Sequence, residues 1–199
     1  PGRKAGSLWE QTIVFPIGKR YFLSMDRIHA ANDSPAMFLR IDMPGHIKHQ
    51  RGDSFSAVYL SYLTGPDRRT LPSSEFLEDF PPDAKYGYRR DQGRVPQRFI
   101  RAYRLRQPTT GKEGPWLAGM TLEPSVVHEA WCHQRGYVCM IEEFGGRPIR
   151  AGESFSAAPH LLQWSDDPAR NIPTDRAGEH RDHHAPTGHL KTNLAHSPL

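Results

Sequence analysis

Short runs of strand-forming residues, each closed by a turn signal, recur along most of this chain. Leu8 to Phe15 reads as a strand, Pro16-Ile17-Gly18-Lys19 as a turn, and Arg20 to Met25 as the returning arm of a hairpin. Asn32-Asp33-Ser34-Pro35 is a second turn, and Ala36 to Ile41 a third strand that Pro44-Gly45 closes. Ser54 to Leu63 alternates, with Phe55, Ala57, Tyr59 and Ser61 on one face and Val58, Leu60 and Tyr62 on the other. Leucine-rich helical spacing is missing, and 17 Gly and 18 Pro favour turns over long helices. The expected fold is all-β and antiparallel, a β-sandwich or a barrel.

From Thr64 to Gln97 the rhythm breaks. Gly65-Pro66-Asp67, Pro72 and Pro81-Pro82 predict a long surface excursion, with a short serine-capped helix at Ser73 to Glu78. Arg98 to Arg106 returns to strand character. Its alternation puts Arg98, Ile100, Ala102, Arg104 and Arg106 on one face and Phe99, Arg101, Tyr103 and Leu105 on the other. Such a stripe either tracks phosphates or uronates, or forms an exposed strand face with snorkelling arginines, which is the commoner outcome. Pro108 to Pro115 reads as a turn region, Leu117 to Leu122 as a short strand and Pro124 to His128 as a connector.

A last apolar run, Tyr137 to Ile141, ends on two adjacent carboxylates, Glu142 and Glu143. Gly145-Gly146 reads as a turn, and Gly152-Glu153-Ser154 as the start of one more strand. A carboxylate closing an apolar strand is positioned rather than merely solvated, and a positioned carboxylate is the simplest general base. The bland alternative is a salt bridge, since Arg135, Arg147 and Arg150 are near in sequence. After Ala158 the chain changes: six of the eleven histidines and five prolines fall there, without periodicity. Residues 1–158 are therefore expected to form the domain, and 159–199 a disordered or foreign His/Pro-rich tail.

The segment from Trp131 to Phe155 resembles the closing part of galactose mutarotase-like domains. The residues that carry the resemblance are Tyr137, Val138, Ile141 and Glu142, then Gly145-Gly146-Arg147, then Gly152-Glu153-Ser154. A looser match upstream is Asn32 to Pro35, the strand Met37 to Ile41, and His46, with His49 as its competitor. The resemblance implies a supersandwich fold and aldose 1-epimerase-like chemistry, with Glu142 as base at the anomeric hydroxyl and His46 as acid at the ring oxygen. It further implies Glu143, His49, Arg147 and Trp131 as sugar-binding residues and no cofactor. Domains of that superfamily are longer, so the resemblance also implies a chain incomplete at both ends. Three readings stay open: an enzyme interconverting aldose anomers, a non-catalytic carbohydrate-binding or structural module, and, behind these, a nucleic-acid or polyanion binder using the Arg98 to Arg106 stripe.

Other signals are weaker. His46 and His49 have a helical metal-ligand spacing but sit between turn signals, and no further ligands stand out, so no metal is expected. The tail histidines His180, His183 and His184 would chelate metal only as any histidine-rich segment does. Trp9, Trp116 and Trp131 are candidate sugar platforms, although core packing is the usual fate of a strand tryptophan. Cys132 and Cys139 lack the spacing of a zinc or redox pair and read as buried thiols. No apolar run is long enough to span a membrane as a helix. The formal charge of +4 comes from scattered arginines and does not by itself indicate a nucleic-acid partner. The expected partner is a sugar or oligosaccharide.

Overall fold

The computed structural model describes residues 2, 5–47, 54–65, 69–76, 86–134, 138–157, 160–165 and 188–190. It describes backbone only for residues 42–47, 133–134, 138–139, 160–165 and 188–190. All regular structure among the described residues is antiparallel strand, apart from short 3-10 turns. The strands are β1 (Leu8–Val14), β2 (Tyr21–His29), β3 (Ser34–Ile47), β4 (Phe55–Leu60), β5 (Thr70–Pro72), β6 (Gly87–Arg89) and β7 (Phe99–Arg106). They continue with β8 (Glu113–Thr121), β9 (Val127–Gln134), β10 (Val138–Ile149), β11 (Ser154–Ser156), β12 (His160–Ser165) and β13 (Gly188–Leu190).

A nine-stranded sheet runs in the order β13-β1-β2-β12-β8-β7-β4-β5, with β11 also paired to β2. A four-stranded sheet runs β3-β10-β9-β6. The inner faces of the two sheets share one core. The large sheet contributes Phe55, Val58 and Leu60 from β4, Phe99 and Tyr103 from β7, and Leu117 from β8. The small sheet contributes Met140 and Phe144 from β10, Val127, Ala130 and Cys132 from β9, and Tyr88 from β6. Each large apolar side chain so buried stabilises the fold by roughly 1.5–3 kcal/mol relative to exposure. Ile100, Ala102, Trp116, Ala118 and Met120 form a second buried cluster on the outer face of the large sheet.

The all-β antiparallel expectation holds, and several details change. A register shift between Phe55 and Ala57 turns Phe55 to the side of Val58 and Leu60, leaving Ala57 and Tyr59 on the outer face. The simple alternation expected for Ser54 to Leu63 therefore fails at its first residue. Pro44-Gly45 does not end β3, which pairs with β10 as far as Ile47. Gly145-Gly146 is not a hairpin turn but a bulge inside β10, with both glycines at positive φ, 100° and 68°. The excursion from Thr64 to Gln97 contains two short strands, β5 and β6, and Ser73–Phe76 forms a 3-10 turn.

The arginine stripe is not an exposed face. Arg101 is 3% exposed, and Ile100 and Ala102 are buried on the opposite side of β7. Strands are also described beyond Ala158. β11 pairs with β2 at Arg27 to His29, and β12 continues along the same strand at Tyr21 to Ser24 while pairing with β8 on its other side. The strand announced by Gly152-Glu153-Ser154 is thus completed by His160–Ser165, and β13 adds to the edge at β1. The remainder of the tail, with His180, His183 and His184, lies outside the described residues.

Candidate functional site

The two adjacent glutamates at the centre of β10 go to opposite faces, as strand geometry demands. Glu142 points into the sandwich and is fully buried. Its Oε1 accepts a hydrogen bond from the Thr121 hydroxyl at 2.7 Å, and its Oε2 lies 2.7 Å from Arg101 Nη2. Arg101 also donates from Nη1 to the Met140 carbonyl at 3.2 Å. The Arg101 to Oε2 approach is an ion pair without hydrogen-bond alignment, and Arg101 Nε finds no acceptor. Burial pushes the Glu142 carboxyl above its ordinary range, against the opposing pull of Arg101 and then of Thr121. Tyr62, buried nearby, is also raised, first by burial. A carboxylate so enclosed fastens two sheets together and has no open side on which to meet a substrate.

Glu143 points outward onto the exposed face of the small sheet. The register sets it opposite Arg40 of β3 on one side and Glu129 of β9 on the other, and Glu129 stands opposite Arg89 of β6. One row across the sheet therefore reads Arg89, Glu129, Glu143, Arg40. Two facing carboxylates repel, and an arginine at each end of the row offsets that repulsion. The Arg89 guanidinium also binds Asp91, with contacts of 2.9 and 3.2 Å. In the neighbouring row Trp131 stands opposite Ile141 and Gly87. Trp131 is half-buried, and the Arg40 guanidinium lies 5.6 Å over its ring. Its Nε1 is buried with no acceptor. Beyond the Glu143 row, His128 packs its ring 5.3 Å from that of Phe38.

The residues singled out in the sequence thus separate into three groups. Glu143 and Trp131 come together on the outer face of the small sheet. Arg147 stands elsewhere, its guanidinium 5.4 Å over the Phe155 ring beside a recess of about 360 Å³ that Glu153 and Ser154 also line. Glu142 is inside the core. The His46 backbone lies in β3 and its side chain outside the described residues, as does all of His49. β3 bulges opposite Val138 and Met140, so the His46 backbone sits roughly 12 Å along the strands from Glu142.

Of the other tryptophans, Trp116 is buried in the outer cluster of the large sheet, and Trp9 donates from Nε1 to Asp26 at 2.9 Å. Cys132 is buried opposite Met140, and the Cys139 side chain lies outside the described residues. Among the described residues no group of three or more His, Cys, Asp or Glu side chains could hold a metal ion, and no helix is long and apolar enough to cross a membrane.

Arg40 and Glu129 are not among the site residues that the sequence singles out. Alternation within Val127–Gln134 does put Glu129 on the face of Trp131, so that signal is present. Arg40 joins only through the pairing of β3 with β10, which local sequence does not specify. No protein-family model matches the chain, and no curated protein matches it.

Proposed function

We propose that this domain binds carbohydrate as a non-catalytic module, with the outer face of the small sheet as its contact surface. The observation that carries the proposal is the half-buried Trp131 with Arg40, Glu143 and Glu129 beside it on one face of the small sheet. A sugar ring offers an apolar C–H face and a rim of hydroxyls. An indole takes the first, and the hydroxyls need both donors and acceptors. Arg40 supplies only donors and the two glutamates only acceptors, so the row can meet hydroxyls of either orientation.

The galactose mutarotase-like assignment and its epimerase chemistry stand as the second reading. The antiparallel two-sheet architecture is compatible with it. Glu142 as general base is disfavoured by its full burial and its ion pair with Arg101. On this face the reachable carboxylates are Glu143 and Glu129, and neither has a histidine in hydrogen-bond contact among the described residues.

Titration of the protein with neutral mono- and oligosaccharides, followed by tryptophan fluorescence, tests the binding reading. At least one saccharide should bind, and Trp131→Ala should weaken it at least ten-fold while the unfolding midpoint changes little. Glu143→Gln should weaken it by a smaller factor. Binding that ignores Trp131→Ala would overturn the assignment of this face.

A further inference from the structure

We infer that the cleft at the β4–β7 end of the large sheet is a second binding site, built for a sugar that carries an oxyanion, such as a uronate or a sulfate ester. The cleft has a volume of about 670 Å³, within the range of small-ligand sites. Arg69, Arg94 and Arg98 line it, together with Thr64, Gln97 and Tyr59. No acidic residue lines it among the described residues.

The three arginines differ from others in the molecule. Arg101 pairs with Glu142, Arg104 with Glu113 and Arg89 with Asp91. Arg69, Arg94 and Arg98 have no carboxylate partner among the described residues, and all three line one hollow. A guanidinium presents a planar fork of donors that matches a carboxylate or sulfate with two parallel bonds.

Two of the three are also held in place. The Ser61 hydroxyl donates to the Arg98 carbonyl at 2.7 Å and accepts from the Ile100 N–H at 2.7 Å, which fixes the start of β7 against the end of β4. The Arg69 carbonyl accepts from the Leu60 N–H at 2.8 Å, and Arg69 Nε donates to the Leu63 carbonyl at 3.3 Å. Backbone already anchored in this way lowers the ordering cost of binding. Arg94 follows Gly93, whose left-handed backbone (φ 107°) ends the 3-10 turn Arg90–Gln92 and leads the chain back to the cleft.

The oxyanion preference rests on the arginines alone; that the anion rides on a sugar rests on the carbohydrate reading above. The test is calorimetric titration of the full chain with a glucuronate-containing disaccharide, its neutral counterpart and inorganic sulfate, at matched ionic strength. The proteins compared are wild type, Arg94→Gln/Arg98→Gln and Trp131→Ala. All three changed side chains are outside the inter-sheet core, and circular dichroism checks that each variant is folded.

The expected result is uronate binding that falls at least ten-fold in the arginine variant, weakens with added salt and persists in Trp131→Ala. Equal affinity for the uronate and neutral disaccharides, or full uronate affinity in the arginine variant, would overturn the inference. Sulfate binding as tightly as the uronate disaccharide would overturn its sugar half. Loss through Trp131→Ala alone would overturn the cleft and leave the outer face of the small sheet as the binding surface.

Discussion

Arg101 and Glu142 form an ion pair across the sandwich, Nη2 to Oε2 at 2.7 Å, with side chains 4% and 0% exposed. Removing one partner leaves the other charge buried, which costs about 3–5 kcal/mol, whereas replacing both by apolar groups of similar volume is often neutral. Arg101→Met alone and Glu142→Leu alone should each lower stability by about that amount. The double variant should recover most of the loss. Urea unfolding of the four proteins measures the coupling, and simple additivity of the two single effects would show that the pair is not a unit.

Alkaline pH should unfold the protein ahead of a chain with ordinary tyrosines. Burial pushes the Tyr103 phenol up to about 12 and also holds Tyr62 well above its ordinary range. The folded state therefore keeps these protons where the unfolded state, titrating near 10, releases them. This contribution is fully present below pH 10 and is lost as pH rises through about 12. The urea midpoint should fall steeply over that interval, and Tyr103→Phe should make the fall shallower. An unchanged slope in the variant would contradict the assignment.

The bulge in β10 predicts a sharp contrast between two glycines. A Cβ on Gly145 would stand 2.1 Å from the Met37 carbonyl oxygen, at φ 100°. A Cβ on Gly18, at φ 71°, would meet nothing within 4 Å. Gly145→Ala should cost more than about 2 kcal/mol because backbone must move, while Gly18→Ala should cost only the roughly 1–2 kcal/mol of left-handed backbone. Thermal unfolding ranks them, and equal costs would rule out close packing of β3 on β10 at the bulge.

Much of this is legible in the sequence because strand alternation is local. Phe99, Arg101 and Tyr103 do share the inner face of β7, whereas Glu142 and Glu143, expected to close an apolar strand, lie at the centre of β10, which runs on to Ile149. What alternation leaves open is which face is inside. Glu142 takes the core side, where Arg101 and Thr121 hold it. The bulge at Phe55 is illegible because one extra residue leaves no compositional trace, and the Gly145-Gly146 pair leaves one that reads equally well as a turn. β5 and β6 are three residues each, too short for a period to show. The place of β12 between β2 and β8 depends on pairings far apart in the chain, and neither Arg40 nor the Arg69, Arg94 and Arg98 cleft is assembled until those pairings form.

The most direct test of the central claim is anomeric exchange of reducing sugars followed by NMR in the presence of the folded protein, with Glu142→Gln alongside. A binding module should broaden the lines of at least one sugar and leave its anomeric exchange rate at the uncatalysed value. Exchange that the protein accelerates and Glu142→Gln abolishes would contradict the account and restore Glu142 as a catalytic base.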